Sequence, residues 1–355
     1  MLSPDSTQDQ MSGSKTDSTS PATPPETDER WQRLQAWLQQ QLGMAPEPLH
    51  PVSGDASARR YFRIDHPEGT RVVMDAPPTA LDSQPFVHVQ QLMASAGLRV
   101  PYIYAVDLDQ GFLLLEDLGH QTYLEALTGD NADELFGQAL DSLILWQRAS
   151  RSGELPDFNE TALRRELQLF TDWYLGRHLS VAITREEREA FDALVNELVR
   201  RVSSQGRVWI HRDWMPRNLM PLPDGPGVLD FQDAATGPVT YDVASLFRDA
   251  FISWPDDRVE QWLHDYWRIA GMRSVPVAPR YDSFLVDVDW MGVQRHLKVL
   301  GIFARLRYRD GKRDYLKDAP RFLQYLYAAA DRQPGLAPLR TLLDEWHGRA
   351  SELVP

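Results

Sequence analysis

One stretch of sequence limits the folds open to this chain more than any other. It reads Trp209-Ile-His-Arg-Asp-Trp-Met-Pro-Arg-Asn-Leu-Met220 and is followed by Val228-Leu-Asp-Phe-Gln-Asp233. The first segment is an apolar strand that runs into a polar loop carrying Asp213 and Asn218, and the second is a short apolar strand that ends at Asp230. Loops at the ends of neighbouring hydrophobic strands can direct these side chains to one point. The sequence therefore predicts a polar site there.

These side chains are the set that phosphoryl transfer requires: one carboxylate orients an attacking hydroxyl, and a second carboxylate with an amide oxygen holds Mg²⁺. The order His-x-Asp-x-x-x-x-Asn and then Asp-Phe is the catalytic-loop and metal-loop pattern of kinases, with Gln232 in place of the last glycine of Asp-Phe-Gly. We therefore predict that Asp213 is the base. Asn218 and Asp230 are predicted to bind Mg²⁺, because hard oxygen donors suit this cation.

The same residues resemble the aminoglycoside phosphotransferase and choline kinase branch of the protein-kinase-like superfamily. Within that branch, His211 to Asn218, Leu229 to Ala234 and Gly237 to Asp249 are similar to the bacterial anomeric N-acetylmuramate/N-acetylglucosamine kinases, from about Trp31 to the C-terminus. The resemblance implies an α+β, two-lobed fold that binds ATP and Mg²⁺ in its cleft. It also implies phosphorylation of the anomeric hydroxyl of the sugar, as a step in cell-wall sugar recycling.

The resemblance assigns roles to three further residues near Asp213. It implies that a buried Asp242 bonds backbone near His211 and holds the loop. Arg217 lies four residues after Asp213, a position from which family members reach the transferring phosphate; the alternative is a surface salt bridge, worth about 0–1 kcal/mol.

Bulk composition excludes several classes of protein. The 355-residue chain has 51 acidic and 37 basic residues, a net charge of −14 and no cysteine. The acidic surplus argues against nucleic acid and anionic membranes as partners, and the lack of cysteine excludes disulfides and thiolate metal sites. We find no apolar run long enough to span a bilayer and no signal-peptide pattern. We therefore expect a cytoplasmic protein and a monomer. The resemblance to the kinases named above implies ATP and an amino sugar as its partners.

The distribution of residue types predicts three segments. Residues 1–30 are rich in Ser, Thr, Pro and Asp and contain no aromatic residue, which is typical of a disordered tail. Residues 31–118 are predicted to form a small β-rich N-lobe with one helix at about Ser83 to Ala96, and 119–355 a mainly helical C-lobe.

The N-lobe departs from the kinase pattern at its second strand. Protein kinases carry a phosphate-binding lysine at the end of that strand, where this chain has Asp75, and no lysine occurs between Lys15 and Lys298. We hypothesise that Arg59 or Arg60 replaces it, since a guanidinium binds phosphate bidentately. The alternative is that both lie on a solvated strand edge.

Other N-lobe residues are candidates for nucleotide contact. A loop of small residues before the first strand would let backbone N–H groups approach phosphates. The strand that ends at Glu116 resembles the kinase hinge, where main-chain atoms pair with adenine and Asp117 can reach the ribose. The candidates are Ser53, Gly54 and Ser57 in the loop, and Glu116 and Leu118 at the hinge.

The acceptor site is less well defined by the sequence. Asp233 is a candidate for a second metal or a sugar hydroxyl. The segment from Arg295 to Arg313 is strongly basic, and Arg305 is a candidate for binding the carboxylate of an N-acetylmuramate-like substrate. The basic residues are equally able to pair with acids on neighbouring helices.

Three other functions share parts of this pattern. Other small-molecule kinases, of the aminoglycoside, choline or homoserine type, would keep every catalytic residue. A protein kinase is disfavoured, because no Ala-Pro-Glu segment follows Asp230. A non-catalytic nucleotide-binding module would explain the missing lysine, but not the presence of Asp213, Asn218 and Asp230 together.

Overall fold

The structure is a computed structural model and describes residues 28–43, 48–52 and 59–352. Residues 351 and 352 are described by their backbone alone. Ser53, Gly54, Ser57 and the predicted tail up to residue 27 lie outside the described residues. The chain divides into two compact units. The first comprises Met1–Asp82 and Ile103–Asp117, and the second comprises Ser83–Tyr102 and Leu118–Pro355.

The first unit is an antiparallel sheet with one helix. The strands have the order β1-β2-β3-β5-β4, so β1 and β4 are the edges. The elements are α1 (Glu29–Leu42), β1 (His50–Pro51), β2 (Arg60–Ile64), β3 (Arg71–Asp75), β4 (Ile103–Asp107) and β5 (Phe112–Glu116). Helix α1 begins two residues before Trp31, the predicted start of the N-lobe, because the Asp28 side chain accepts a hydrogen bond from the Arg30 N–H. It ends at Leu42, and Gly43 caps it with a φ of 67°.

The hydrophobic core of this unit lies between α1 and one face of the sheet. Trp31, Leu34, Trp37 and Leu38 recur at helical spacing and form an apolar stripe along α1, and all are buried. They pack on Phe62 and neighbouring side chains of the sheet, with the rings of Trp31 and Phe62 5.1 Å apart. The stripe is therefore packing surface.

Asp75 lies on the face of the sheet that α1 covers. The pairing register sets it opposite Arg60 on β2 and Phe112 on β5, and its side chain is fully buried. The Nε and Nη2 atoms of Arg30 donate to one carboxylate oxygen at 2.8 and 2.5 Å, and the Nε of Arg60 donates to the other at 2.9 Å. Two cations around one buried anion thus fasten α1 to the sheet.

Asp75→Ala is expected to lower the free energy of unfolding by about 3–5 kcal/mol, because it leaves two partly buried guanidinium groups without their carboxylate. Urea unfolding followed by tryptophan fluorescence measures the change. Asp65→Ala, at an exposed acid after β2, is the control and should change the value by less than about 0.5 kcal/mol. Equal stability of the two variants would contradict a structural role for Asp75.

The second unit is mainly helical. Its helices are α2 (Gln84–Ser95), α3 (Tyr123–Ala126), α4 (Ala132–Arg148), α5 (Glu160–Leu169), α6 (Arg185–Ser203), α7 (Tyr241–Phe247), α8 (Asp256–Met272), α9 (Tyr281–Tyr308), α10 (Ala319–Arg332) and α11 (Ala337–Glu352). A π-helical segment, Phe170–Leu179, continues α5, and 3₁₀ turns occupy Pro216–Asn218, Asp314–Asp318 and Pro334–Leu336. Two antiparallel pairs are formed by β6 (Arg207–Ile210) with β9 (Ala235–Pro238), and by β7 (Leu219–Met220) with β8 (Gly227–Val228).

Two packing details of the second unit matter for the site. Helix α2, which the sequence placed in the N-lobe, groups with this unit, and its Phe86 ring lies 4.7 Å from that of Phe231. Helix α9 passes close to the start of the π-helical segment at Gly301, where a Cβ would lie 2.3 Å from the carbonyl carbon of Leu169. The missing side chain at Gly301 lets α9 approach α5 closely.

Within the described residues, no helix is long and apolar enough to cross a membrane.

Candidate active site

The β7–β8 pair brings Asn218 and Asp230 together, and a bond from the Asn218 amide to the carbonyl of Asp213 places Asp213 beside them. Asp213 lies in the loop after β6, and Asn218 ends the 3₁₀ turn that leads directly into β7. Leu219 pairs with Val228, and the Leu229 N–H donates to the Asn218 carbonyl at 2.9 Å. Since Asp230 is the next residue, the register sets it at the same end of the hairpin as Asn218.

Short hydrogen bonds orient the two predicted metal ligands. The Asn218 amide nitrogen donates to the carbonyl of Asp213 at 2.9 Å, so the amide oxygen is the atom left to bind a cation. The Gln232 amide donates to one oxygen of Asp230 at 2.9 Å. Asp230 is exposed and has a φ of 60°, a left-handed conformation that Asp tolerates better than most residues. The glutamine that replaces the kinase glycine therefore helps to orient Asp230.

Asp242 fixes the loop that carries Asp213. One of its carboxylate oxygens accepts the His211 N–H at 2.7 Å, and the other accepts the Arg212 N–H at 2.9 Å. Asp242 is fully buried, and burial raises its pKa to about 7 in spite of these two bonds. Arg212 has a φ of 76°, a strained conformation for a long side chain that the two bonds help to hold. The expectation that a buried Asp242 bonds the backbone near His211 is confirmed.

His211 links the catalytic loop to the metal loop. Its ring is fully buried, and Nε2 lies 3.0 Å from the carbonyl oxygen of Leu229. Burial lowers the pKa of His211 to about 4, against an ordinary value of 6.5, although the nearby Asp213 opposes the shift. The ring is therefore neutral at pH 7.

This lowered pKa predicts a pH dependence of stability. The unfolded chain binds a proton at His211 below pH 6.5, whereas the folded protein binds it only near pH 4. The contribution of His211 to the free energy of unfolding is therefore fully present above pH 6.5 and is lost as the pH falls towards 4. It amounts to about 3 kcal/mol at most, at 1.36 kcal/mol per pKa unit. We expect the free energy of unfolding of the wild type to fall more between pH 7 and pH 4 than that of His211→Asn. Parallel pH curves for the two proteins would contradict this.

The electrostatic surroundings of Asp213 keep it ionised. Burial alone would raise the pKa of Asp213, but the positive charges of Lys298 and Arg295 outweigh burial and lower it below its usual value. Both charged residues come from α9, within the basic segment noted in the sequence, and both are buried. An ionised carboxylate is the form that can accept or orient the proton of an acceptor hydroxyl.

The first unit holds the other candidates for nucleotide contact. Arg60 is hydrogen-bonded to Asp75 on the face of the sheet that α1 covers. Arg59 is the residue before β2, and the alternation of side chains along the strand puts it on the opposite face, with Tyr61. Glu116 ends β5 opposite Arg71. Asp117, expected near a ribose, accepts the Thr70 hydroxyl at 2.7 Å and pairs with Arg63 at 2.5 Å.

In the second unit the remaining predicted residues take varied positions. Leu118 is buried and fills the space beside Gly227, where an added Cβ would lie 2.8 Å from a methyl carbon of Leu118. Arg217 lies over the ring of Phe251 at 5.0 Å. Asp233 is exposed, and its backbone carbonyl accepts a bond from Arg212 at 3.4 Å. Arg305 is half-buried on α9, and burial and the charge of Arg309 lower its pKa.

Glu166 is the site residue for which sequence reasoning gave the weakest signal. By sequence it is one of several helix acids typical of solvated faces, but it is buried and accepts from Arg212 at 2.6 Å and from Gln294 at 3.1 Å. Lys298 lies 3.3 Å from it. The available signal was the basic segment of α9 in an acidic chain, which indicated paired charges without identifying the partner.

The donor set fits Mg²⁺. Asn218 and Asp230 offer oxygen atoms only, and the described residues contain no cluster of three or more His, Cys, Asp or Glu that could hold a metal by themselves. Mg²⁺ is commonly bound by one or two protein oxygens together with substrate phosphates and water, so a site with so few protein ligands suits it.

Comparison with known proteins identifies this protein as a phosphotransferase. The model of the phosphotransferase enzyme family matches residues 48–283, and the chain belongs to that family. It is 52% identical to an N-acetylmuramate/N-acetylglucosamine kinase of Pseudomonas aeruginosa, over 89% of this chain and 96% of the relative. Proteins of the same name from Pseudomonas putida and Neisseria meningitidis are 48% and 42% identical, over 90% and 89% of this chain and 98% and 96% of theirs.

Solved structures confirm the two-lobed α+β kinase-like fold expected from the sequence. The choline kinase LicA from Streptococcus pneumoniae superposes with a TM-score of 0.60 at 15% identity, covering 83% of this chain and 99% of that one. The ADP-bound aminoglycoside phosphotransferase APH(2'')-Ib superposes with a TM-score of 0.58 at 14% identity, covering 84% and 97%. At these identities the likeness concerns the fold alone. The family membership shows that the protein is a kinase that uses ATP and a small-molecule acceptor.

Proposed function

We propose that this protein transfers the γ-phosphoryl group of ATP to the anomeric hydroxyl of N-acetylmuramate, N-acetylglucosamine or both, as a step in cell-wall sugar recycling. The observation that carries the proposal is the grouping of Asp213, Asn218 and Asp230 at one end of the β7–β8 pair. The substrate rests on the relatives that bear that name at 42–52% identity. Since ATP is a cytoplasmic substrate, we propose that the protein acts in the cytoplasm.

In this proposal Asp213 is the base that orients the acceptor hydroxyl towards the phosphorus atom. The positive charges of Lys298 and Arg295 keep its carboxylate ionised, and the Asn218 amide holds the backbone beside it. A hydroxyl held by an ionised carboxylate presents its lone pair for in-line attack. The loop therefore acts by positioning the acceptor hydroxyl, and no covalent bond to the protein is needed.

Asn218 and Asp230 would hold Mg²⁺, which when bound neutralises the negative charge of the ATP phosphates. Gln232 helps to orient Asp230 through the bond at 2.9 Å. Arg217, on the same loop, is proposed to donate to the transferring phosphate, since a guanidinium matches the geometry of phosphate oxygens.

Asp233 and Arg305 remain our candidates for contact with the sugar. Asp233 is exposed directly after Gln232 and offers a carboxylate to a sugar hydroxyl. Arg305 is half-buried on α9, and Asp310 is the carboxylate whose charge acts on it. We propose that Arg305 binds the carboxylate that distinguishes N-acetylmuramate from N-acetylglucosamine.

A panel of acceptors tests the proposal. Turnover of purified protein with Mg-ATP is measured with N-acetylmuramate, N-acetylglucosamine, glucosamine, choline, homoserine and an aminoglycoside. We expect kcat/KM to be at least tenfold higher for one of the two N-acetylated sugars than for any other compound. Preference for choline, homoserine or the aminoglycoside would refute the substrate but keep the kinase.

For the nucleotide we propose that Arg59, and not Arg60, supplies the charge of the missing lysine, because Arg60 is bound to Asp75. Arg59→Ala is expected to weaken ATP binding about tenfold or more, the value of one charge-assisted hydrogen bond. Arg60→Ala is the matched control and should leave the Kd for ATP within about threefold. Isothermal titration with Mg-ATP measures both, and wild-type affinity in both variants would remove the idea.

A further inference from the structure

A buried network connects α9 to the catalytic loop through Glu166. This residue of α5 is 7% exposed. Its Oε1 accepts from the Nη2 of Arg212 at 2.6 Å and lies 3.3 Å from the Nζ of Lys298, while its Oε2 accepts from the amide of Gln294 at 3.1 Å. Burial would raise the pKa of Glu166, but Lys298 and Arg212 outweigh it and lower the pKa. Glu166 is thus an ionised group with three donors around it.

Arg212 connects this network to Asp213, its neighbour in the chain. Its backbone N–H is held by Asp242 at 2.9 Å, and its guanidinium is held by Glu166. The backbone of Arg212 is in the left-handed region, with a φ of 76°. A residue in this strained conformation persists only where the surrounding structure holds it. Glu166 gives the second support.

Lys298 completes the network from α9. It is separated from Gln294 by four positions, so the two side chains lie on one face of the helix. The Lys298 ammonium donates to the hydroxyl of Tyr241 at 3.0 Å, and Tyr241 is fully buried at the start of α7. Lys298 therefore joins α5, α7 and α9 beside the catalytic loop, and it is a charge that acts on Asp213.

A purely structural explanation for Lys298 is weak on energetic grounds. Burying an ammonium with a carboxylate is often no more stabilising than apolar packing of the same volume. The rest of α9 supplies such packing, with Trp290, Met291, Leu297 and Leu300 all buried. A buried lysine, glutamate and arginine next to a predicted catalytic base are more typical of a functional site.

We propose that Lys298 is a positioning residue for Asp213, which it holds in place through Glu166 and Arg212 and through its own charge. The inference rests on the proposed function, because the position of Asp213 matters only where Asp213 orients an acceptor. Lys298 itself need not contact the sugar or ATP. Loss of its ammonium is expected to remove one of the positive charges that act on Glu166 and on Asp213.

The first test compares three single variants. Lys298→Met is expected to lower kcat for the best acceptor by about 10²-fold, the cost of a small misplacement of a catalytic group, and to leave the KM for ATP within about threefold. Lys298→Arg, which keeps the charge, should recover at least tenfold of that loss. Lys317→Met, at a lysine that is 74% exposed, is the matched control and should behave as wild type. Thermal unfolding checks that each variant is folded, and Lys298→Gln replaces Lys298→Met if the latter is insoluble.

A double-mutant cycle with Asp213→Asn separates positioning from general damage. If Lys298 acts through Asp213, then Lys298→Met in the Asp213→Asn background should lower the residual kcat by less than about threefold. A full 10²-fold further loss would overturn the proposal, and so would a wild-type kcat in Lys298→Met, or in Lys298→Gln where it replaces Lys298→Met. A wild-type kcat in Asp213→Asn alone would instead refute the proposed role of Asp213 and leave the proposed function without its base.

Discussion

Asp213→Asn is expected to lower kcat for sugar phosphorylation by about 10²–10⁴-fold, the usual contribution of a positioned base. Asparagine has nearly the same shape, but it cannot take up the proton of the acceptor hydroxyl. The Asn218 amide bonds the backbone carbonyl of residue 213, a contact that the substitution keeps, so the loop should retain its conformation. We therefore expect the melting temperature and the Kd for Mg-ATP to stay close to wild type.

Steady-state kinetics with the preferred sugar measures this loss, and Asp224→Asn provides the control. Asp224 is an exposed acid in the turn between β7 and β8, at the opposite end of the hairpin from Asn218 and Asp230, so it tests the removal of one negative charge away from the site. We expect its kcat to be unchanged. A kcat for Asp213→Asn within threefold of wild type would show that the acceptor is oriented by some other group.

Asp242→Ala should act on the fold before it acts on the chemistry. The substitution leaves the buried N–H groups of His211 and Arg212 without acceptors. An unsatisfied buried donor costs about 1–3 kcal/mol, so we expect a loss of about 2–5 kcal/mol in the free energy of unfolding. Activity should fall with it, because the backbone that leads to Asp213 loses its support.

Chemical unfolding distinguishes Asp242 from Asp213, and Asp242→Asn is the graded control. Its amide keeps one acceptor oxygen, so about half of the loss is expected. An Asp242→Ala protein as stable as wild type but inactive would contradict the structural role and would place Asp242 in the chemistry instead.

The sequence predicted the parts of the candidate site whose residues lie close together along the chain. Asp213, Asn218 and Asp230 are close in the chain, and the apolar strands between them leave few ways to pair. Asp242 was implied by the resemblance to known kinases, and its two hydrogen bonds to the backbone confirm it. The helical spacing of apolar residues in α1, the alternation in β2 and the apolar runs of β3 and β5 are local signals of the same kind.

The parts that the sequence did not predict depend on contacts between distant segments. Glu166 and Lys298 are 132 positions apart in numbering and meet only because α9 packs closely on α5 at Gly301. Strand β4 was missed because its exposed side chains, Tyr104 and Val106, are as apolar as its covered ones, which removes the alternation expected of an edge strand.

The ion-pair partners of Asp75 were equally hard to predict from the sequence. The sequence shows it only as the residue in place of a lysine and does not identify its partners. Arg30 on α1 binds it across the sheet, and Arg60 binds it from the neighbouring strand. Strand alternation alone could not show that α1 covers this face, so the choice between Arg59 and Arg60 required the structure.

The loop and hairpin around Asp213 are proposed to position ATP and a sugar hydroxyl for direct phosphoryl transfer. The most direct measurement is phosphorus–proton NMR of the product formed by the wild-type protein from Mg-ATP and N-acetylglucosamine or N-acetylmuramate. We predict a phosphorus signal coupled to the anomeric proton, together with one equivalent of ADP. Formation of ADP and inorganic phosphate without any phosphorylated sugar would contradict the account.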